Sequence, residues 1–251
     1  MKNLLELKDI TFFYQTKTSE IKAIDNLSFN IGEKEFSSLV GPSGCGKTTI
    51  LSLIAGLLKP SSGKILLDNN PISQNDERIG YMFQRDQLFE WRSIWQNIIL
   101  GLEIKKQKKD EKKLELAENL LKKYDLYNFK NKKPRELSGG MRQRVALIRT
   151  LVLEPSLLLL DEPFSALDFQ TRLKVCDDVY EIIKSEEKTA LLVTHDISEA
   201  LSMSDKVVIL TKRPATTKEI LPLSFEGDTP LKKREDKNFG NYFEKIWRNL
   251  C

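Results

Sequence analysis

Phe36-Ser37-Ser38-Leu39-Val40-Gly41-Pro42-Ser43-Gly44-Cys45-Gly46-Lys47-Thr48-Thr49 is the stretch on which the reading of the fold turns. Phe36 to Val40 reads as a strand, and Ile50, Leu51, Leu53, Ile54 and Leu57 then recur at helical spacing. Lys59-Pro60 is expected to stop that helix. Between strand and helix, Gly41, Gly44 and Gly46 let the backbone curl so that successive N–H groups point inward, and the helix start adds its positive end. Such a loop is expected to cradle phosphate, with Lys47 reaching the outer phosphates and the Thr48 hydroxyl ligating a bridging Mg²⁺. Cys45, at a helix amino terminus, is expected to carry an activated thiol.

Outward from this loop, short alternating pieces at Leu5-Leu7, Ile10-Phe12 and Leu27-Phe29-Ile31 predict strands. Downstream, a helix is expected from Gly139 to Leu153, a strand at Leu157–Leu160, a helix at Gln170–Ser185, and strands at Ala190–Thr194 and Val207–Thr211. Strands alternating with helices imply a largely parallel sheet covered on both faces. The lysine-rich stretch 85–135, with Leu114, Ala117, Leu121 and Tyr124 on one stripe, predicts an inserted helical subdomain. Its cluster Lys105-Lys106-Gln107-Lys108-Lys109 is expected to be a solvated helix face. Residues 212–251 read as a polar linker followed by an amphipathic helix carrying Phe239, Tyr242, Phe243, Ile246, Trp247 and Leu250.

The 251 residues are 40% hydrophobic, enough to fill a sizeable core. Forty basic against 36 acidic residues leave a charge of +4, too mild to argue for nucleic acid. Three scattered cysteines, Cys45, Cys176 and Cys251, suit neither a disulfide framework nor a zinc site and favour a reducing compartment. No run approaches the roughly 20 apolar residues of a membrane span. The amino terminus meets charge at once, unlike a secretory signal, so a cytoplasmic location is expected.

Two further segments carry chemistry. Four leucines end in Asp161-Glu162, placing two carboxylates at the carboxyl edge of a buried strand, where open α/β sheets hold their ligands. Asp161 suits Mg²⁺, and Glu162 suits a general base for the attacking water. Leu137-Ser138-Gly139-Gly140-Met141-Arg142-Gln143-Arg144 offers an N-cap at Ser138, two glycines that leave amides uncovered, and an apolar helix face after them. It reads as a second anion site.

Taken with the other two motifs, that last segment resembles the signature of ATP-binding-cassette ATPases. The resemblance runs over nearly the whole chain. It implies an α/β fold with a P-loop, RecA-like core, an N-terminal antiparallel β subdomain and a helical subdomain. Further family elements then have counterparts here. Gln84 resembles the Q-loop glutamine that contacts Mg²⁺ and water; Ser165-Ala166-Leu167-Asp168 resembles the D-loop; His195 resembles the switch histidine that contacts the γ-phosphate. Tyr14 is similar to the aromatic that stacks on adenine. The resemblance also implies that ATP and Mg²⁺ are sandwiched between the P-loop of one subunit, from Gly41 and Pro42 to Thr49, and Ser138, Gly139 and Gly140 of another.

Gln84 to Ile98, with Gly101-Leu102-Glu103 and the ending Phe239–Leu250, looks like ATPases of nitrate, sulfonate and taurine importers. The segment departs from that pattern at Glu90, where the subfamily usually has proline. The expected function is therefore the ATP-hydrolysing subunit of an importer, peripheral on the inner face of the cell membrane. Its expected partners are transmembrane permease subunits, indirectly a solute-binding protein, and a second ATPase, identical or related. The alternative is a cassette ATPase acting on nucleic acid or the ribosome. A single cassette with P-loop and signature close in sequence speaks against it, and no nucleic-acid partner is expected.

Overall fold

The structure is a computed structural model and describes residues 2–16 and 19–250. Cys251 lies outside the described residues. Two long strands, β1 (Asn3–Gln15) and β2 (Glu20–Gly32), pair antiparallel, and β4 (Ser62–Leu67) and β5 (Asn70–Pro71) extend them into a four-stranded sheet, β2-β1-β4-β5. The second sheet takes β3 (Phe36–Val40), β6 (Ile79–Met82), β7 (Leu157–Asp161), β8 (Thr189–Val193), β9 (Lys206–Leu210) and β10 (Thr217–Pro222), in the order β10-β9-β3-β8-β7-β6. All pairings in it are parallel except β10 on β9.

The leucine run explains the layering. Leu157 and Leu159 of β7 pack with Leu191 and Val193 of β8 against α1 (Lys47–Ile54) and the antiparallel sheet. Leu158 and Leu160 face the other way, onto α5 (Gly139–Leu151) and α6 (Phe169–Ser185). Successive side chains of a strand point to opposite faces, so a strand covered on both faces must be apolar throughout. On the outer side of β9, Val207 and Ile209 pack against α7 (Ile197–Met203) and α9 (Phe239–Leu250) through Ala200, Leu201 and Ile246.

Between β6 and α5 run three α-helices, α2 (Ile94–Ile98), α3 (Leu100–Ile104) and α4 (Glu111–Lys123), and two short 3-10 turns, Tyr127–Phe129 and Pro134–Glu136. Their apolar residues Ile94, Ile98, Leu102, Ala117 and Leu121 join the same cluster as Val145 and Leu158, so this insertion shares its core with the main sheet. Among the described residues no helix is long and apolar enough to cross a membrane.

Three expectations are corrected. The helix after the P-loop ends at Ile54. Gly56 takes φ +69°, and Leu57 N–H donates back to Ser52 O at 2.9 Å, a glycine-terminated helix stop that precedes Pro60. Lys105 to Lys109 form the turn between α3 and α4, with Lys106 at φ +59°, rather than a helix face. The segment after Thr211 holds β10 and a short helix α8 (Pro230–Glu235) before α9, so it is built into the fold and is no linker.

Candidate functional site

The P-loop leaves β3 between β9 and β8 and enters α1 at Gly46, which sits at φ +125°, a conformation that L side chains rarely adopt. Gly46 has no side chain to cap the helix, so the first-turn amides are left for a ligand. Lys47 Nζ lies across the loop, donating to Gly41 O at 2.8 Å and Pro42 O at 3.1 Å. A cleft of about 600 Å³ opens here, lined by Ser43, Gly44, Gly46, Lys47, Thr48, Thr49, Glu162, His195 and Arg213.

Gly41 and Pro42 are not among the cleft's lining residues and are tied to it by the carbonyls that hold Lys47, while Cys45 is buried. The expectation of a reactive Cys45 is overturned. The thiol is 1% exposed, and burial pushes its pKa up against the opposing charges of Lys47 and Arg213. Cys45 serves the loop by filling the space under Gly41.

Tyr14, near the end of β1, shares a hydrogen bond with Thr49 Oγ1 at 2.8 Å, which holds its half-exposed ring beside the loop. Across the cleft, Glu162 follows β7 at φ +45°, its N–H donating to Val193 O at 2.8 Å. That strained backbone aims the carboxylate at two donors: His195 Nδ1 stands 3.2 Å and Gln84 Nε2 3.5 Å from Glu162 Oε2. His195 projects from the turn between β8 and α7. There Thr194 Oγ1 donates to Glu199 Oε2, and Asp196 caps α7, leaving the imidazole 63% exposed.

Asp161 is half-buried and receives the Tyr81 hydroxyl at 3.0 Å. Burial raises its pKa, the neighbouring Glu162 charge adds to the effect, and the Tyr81 hydrogen bond and Lys47 oppose it. Consecutive carboxylates whose charges repel are a hard-oxygen set that a divalent cation would relieve. Among the described residues no cluster of three acidic, histidine or cysteine side chains forms a metal site by itself.

Of the expected residues, Glu162 and His195 line the cleft with the P-loop; Tyr14 joins them through Thr49, Gln84 through Glu162, and Asp161 by preceding Glu162, whereas Ser138, Gly139, Gly140 and Asp168 neither line the cleft nor hydrogen-bond a residue that does. Ser138 caps α5 by accepting from Met141 N–H at 3.3 Å, and it is exposed. Gly140 has a packing reason of its own: a Cβ there would meet Val175 Cγ2 of α6 at 2.6 Å. Asp168 caps α6, accepting from Thr171 N–H at 3.0 Å, and hydrogen bonding to the Thr171 side chain and then to its backbone lowers the Asp168 pKa.

Sequence reasoning missed Arg213, which had no motif around it, and Tyr81, whose partner lies on a neighbouring strand. It also missed two arginines of α5 that grip the segment after Gln84. Arg142 Nε bonds Asp86 Oδ2 at 3.0 Å, and Arg149 donates to Asp86 O and Gln87 O, each at 2.7 Å.

A glycine loop between a parallel strand and a helix, with a carboxylate and a histidine facing it, defines a nucleoside-triphosphate-hydrolysing P-loop protein. The chain belongs to the ABC transporter family, whose profile matches residues 24–165. It is 44% identical over 250 residues to the ABC transporter ATP-binding protein YtlC of Bacillus subtilis, covering 99% of this chain and 96% of that one. It is 39% identical over 220 residues to the nitrate transport protein NasD of Klebsiella oxytoca, covering 86% and 84% respectively. Among solved structures it resembles the dimeric ATP-binding cassette MJ0796 in a post-hydrolysis state with ADP and phosphate. That match has a TM-score of 0.70 at 33% identity and covers 88% of this chain and 99% of that one. The protein is thus an ATP-binding, ATP-hydrolysing subunit of an ABC transporter.

Proposed function

We propose that this chain hydrolyses MgATP at a head-to-tail dimer interface and energises solute uptake through separate membrane permease subunits, which hold it at the inner face of the cell membrane. One observation carries the hydrolytic reading: a single carboxylate oxygen of Glu162 faces both His195 and Gln84 at the mouth of the P-loop.

In this mechanism the loop amides from Gly44 to Thr49 and the Lys47 ammonium hold the phosphates, and Tyr14 stacks on the adenine. Glu162 orients the attacking water and takes its proton; His195 holds Glu162 and contacts the terminal phosphate; Gln84 fixes the water from the other side. Thr48, Asp161 and Gln84 are the oxygen donors that would hold Mg²⁺, which would supply charge neutralisation there. Ser138, Gly139 and Gly140 present their amides to the ATP of a second subunit. Their exposed cap and their separation from this chain's own cleft support that arrangement, as does the dimeric form of MJ0796. Asp168 sits at the same interface.

An apolar groove beside Gln84, lined by Phe83, Phe89, Ile104 and Leu153, supports docking of the permease. Of its residues, Phe83 is 49% and Ile104 74% exposed. The importer type we favour is nitrate, sulfonate or taurine, on the segment 84–103 and the likeness to NasD. Glu90 fits that reading, because it follows Phe89 in a turn closed by Arg92 N–H to Phe89 O at 3.0 Å, a position where proline and glutamate are both accommodated.

The test is the rate per chain as a function of protein concentration in MgATP. Turnover per chain should rise steeply with concentration and level off once dimers form. A rate that stays constant down to nanomolar protein overturns the shared-site mechanism.

A further inference from the structure

Four strands stand side by side in the order β9-β3-β8-β7, and each ends at the same edge of the sheet. The loops that leave them place Arg213, the P-loop, His195 and Glu162 in that sequence across the cleft. Arg213 therefore lies on the flank of the P-loop away from the hydrolytic pair, and it lines the same cleft as Gly44, Gly46 and Lys47.

Its backbone is held firmly. Thr216 N–H donates to Thr211 Oγ1 at 3.0 Å, and Thr211 Oγ1 donates to Pro214 O at 3.2 Å. Ala215 N–H reaches Ala23 O and Asp25 N–H reaches Ala215 O, both at 2.9 Å, which stitches the turn to β2. Ala215 also lies against Gly46, at 3.7 Å from the position of a Cβ on that glycine. The guanidinium, by contrast, is exposed, and among the described residues no carboxylate pairs with it. Glu162 is the one acid among the cleft's lining residues, and it stands on the far flank. An arginine on a rigid turn at the rim of a phosphate loop offers five donors in a fixed fork to an anion.

We infer that Arg213 is a further ligand of the nucleotide, gripping its non-terminal phosphates from the flank opposite Glu162 and His195. The inference rests on the nucleotide site proposed above. Because the terminal phosphate lies toward the hydrolytic pair, the grip is shared by ATP and ADP. It sets affinity and leaves the chemical step alone.

Equilibrium titration of the full chain with fluorescent ADP and ATP analogues, in Mg²⁺, tests this on Arg213→Gln and Arg213→Lys. Arg213→Gln is expected to weaken both nucleotides by roughly tenfold, the worth of one charged hydrogen bond. Arg213→Lys should recover part of that loss, and turnover at saturating ATP should change by less than about threefold. Wild-type affinity in Arg213→Gln overturns the inference, and so does a loss confined to ATP. A lowered melting temperature without nucleotide, with Arg213→Lys binding no better than Arg213→Gln, shows a structural role and also overturns it. Wild-type protein that binds neither nucleotide, or whose binding is unaffected by Lys47→Ala, would sink the underlying site instead.

Discussion

Replacing Glu162 by glutamine separates binding from hydrolysis. The side chain keeps its shape and an amide oxygen that can still accept from His195 or Gln84, which stand 3.2 and 3.5 Å from the carboxylate. The structural contacts of this residue are made by its main chain: N–H to Val193 O, and O receiving Ser165 Oγ at 3.0 Å. They survive the change, so the fold should lose less than about 1 kcal/mol. The basicity does not survive, and a general base contributes roughly 10² to 10⁴ in rate, or about 3–5 kcal/mol of barrier. Nucleotide affinity should hold or improve, because the P-loop amides and Lys47 are untouched and one negative charge leaves the cleft. Single-turnover phosphate release, paired with a nucleotide titration, measures both. Turnover within tenfold of wild type would place the base elsewhere, and loss of ATP binding would make Glu162 a structural residue.

Two other outcomes follow from burial. Lys233 of α8 is 6% exposed, donates to Tyr180 OH at 3.2 Å, and is pushed down by desolvation to about 8 from 10.5. The unfolded chain holds the extra proton between those values, so stability rises with pH through that window. Wild type should gain about 1 kcal/mol over Lys233→Met between pH 7 and pH 9 in denaturant titrations; identical pH profiles would refute the burial argument. Cys45 and Cys176 are both buried with raised thiol pKa values. Alkylation of the native protein should leave both peptides unlabelled by mass spectrometry until denaturant is added, and rapid native labelling of Cys45 would show that the loop opens.

How far the sequence could be read depended on whether a feature was local. The P-loop was legible because its glycines, lysine and threonine fall within eight residues, and β7 because a four-leucine run ending in two carboxylates is too short for a helix and suits a strand covered on both faces. β10 was not, since Thr217-Lys218-Glu219-Ile220-Leu221-Pro222 is an edge strand that buries only Leu221 and ends in proline. The stop at Gly56 was hidden by Leu57 and Leu58, which continue the apolar pattern although the backbone has already left the helix. Arg213, Tyr81 and the arginine grip on Asp86 depend on strand order and helix packing, which no spacing within the chain encodes.

That grip has a mechanical consequence for the proposed cycle. Arg149 is half-buried, desolvation lowers its pKa, and the carbonyls of Asp86 and Gln87 are its hydrogen-bond acceptors among the described residues. Pulling the Gln84 segment away from α5 would strip two hydrogen bonds from a half-buried cation, each worth about 1 kcal/mol after screening by solvent, besides the Arg142–Asp86 pair. The same helix begins at Ser138 and is seated on α6 by the missing side chain of Gly140, and α6 in turn starts at Asp168, three residues after the Ser165 that holds Glu162 O. In the proposed cycle, a push delivered by a membrane partner in the groove beside Gln84 would reach the amides at Ser138 to Gly140 along this one helix. The Gln84 segment also faces the Glu162 carboxylate directly, through Gln84 Nε2 at 3.5 Å, and its strand β6 pairs with β7, so the helix that begins at Ser138 and the Glu162–His195 pair should respond to the partner together.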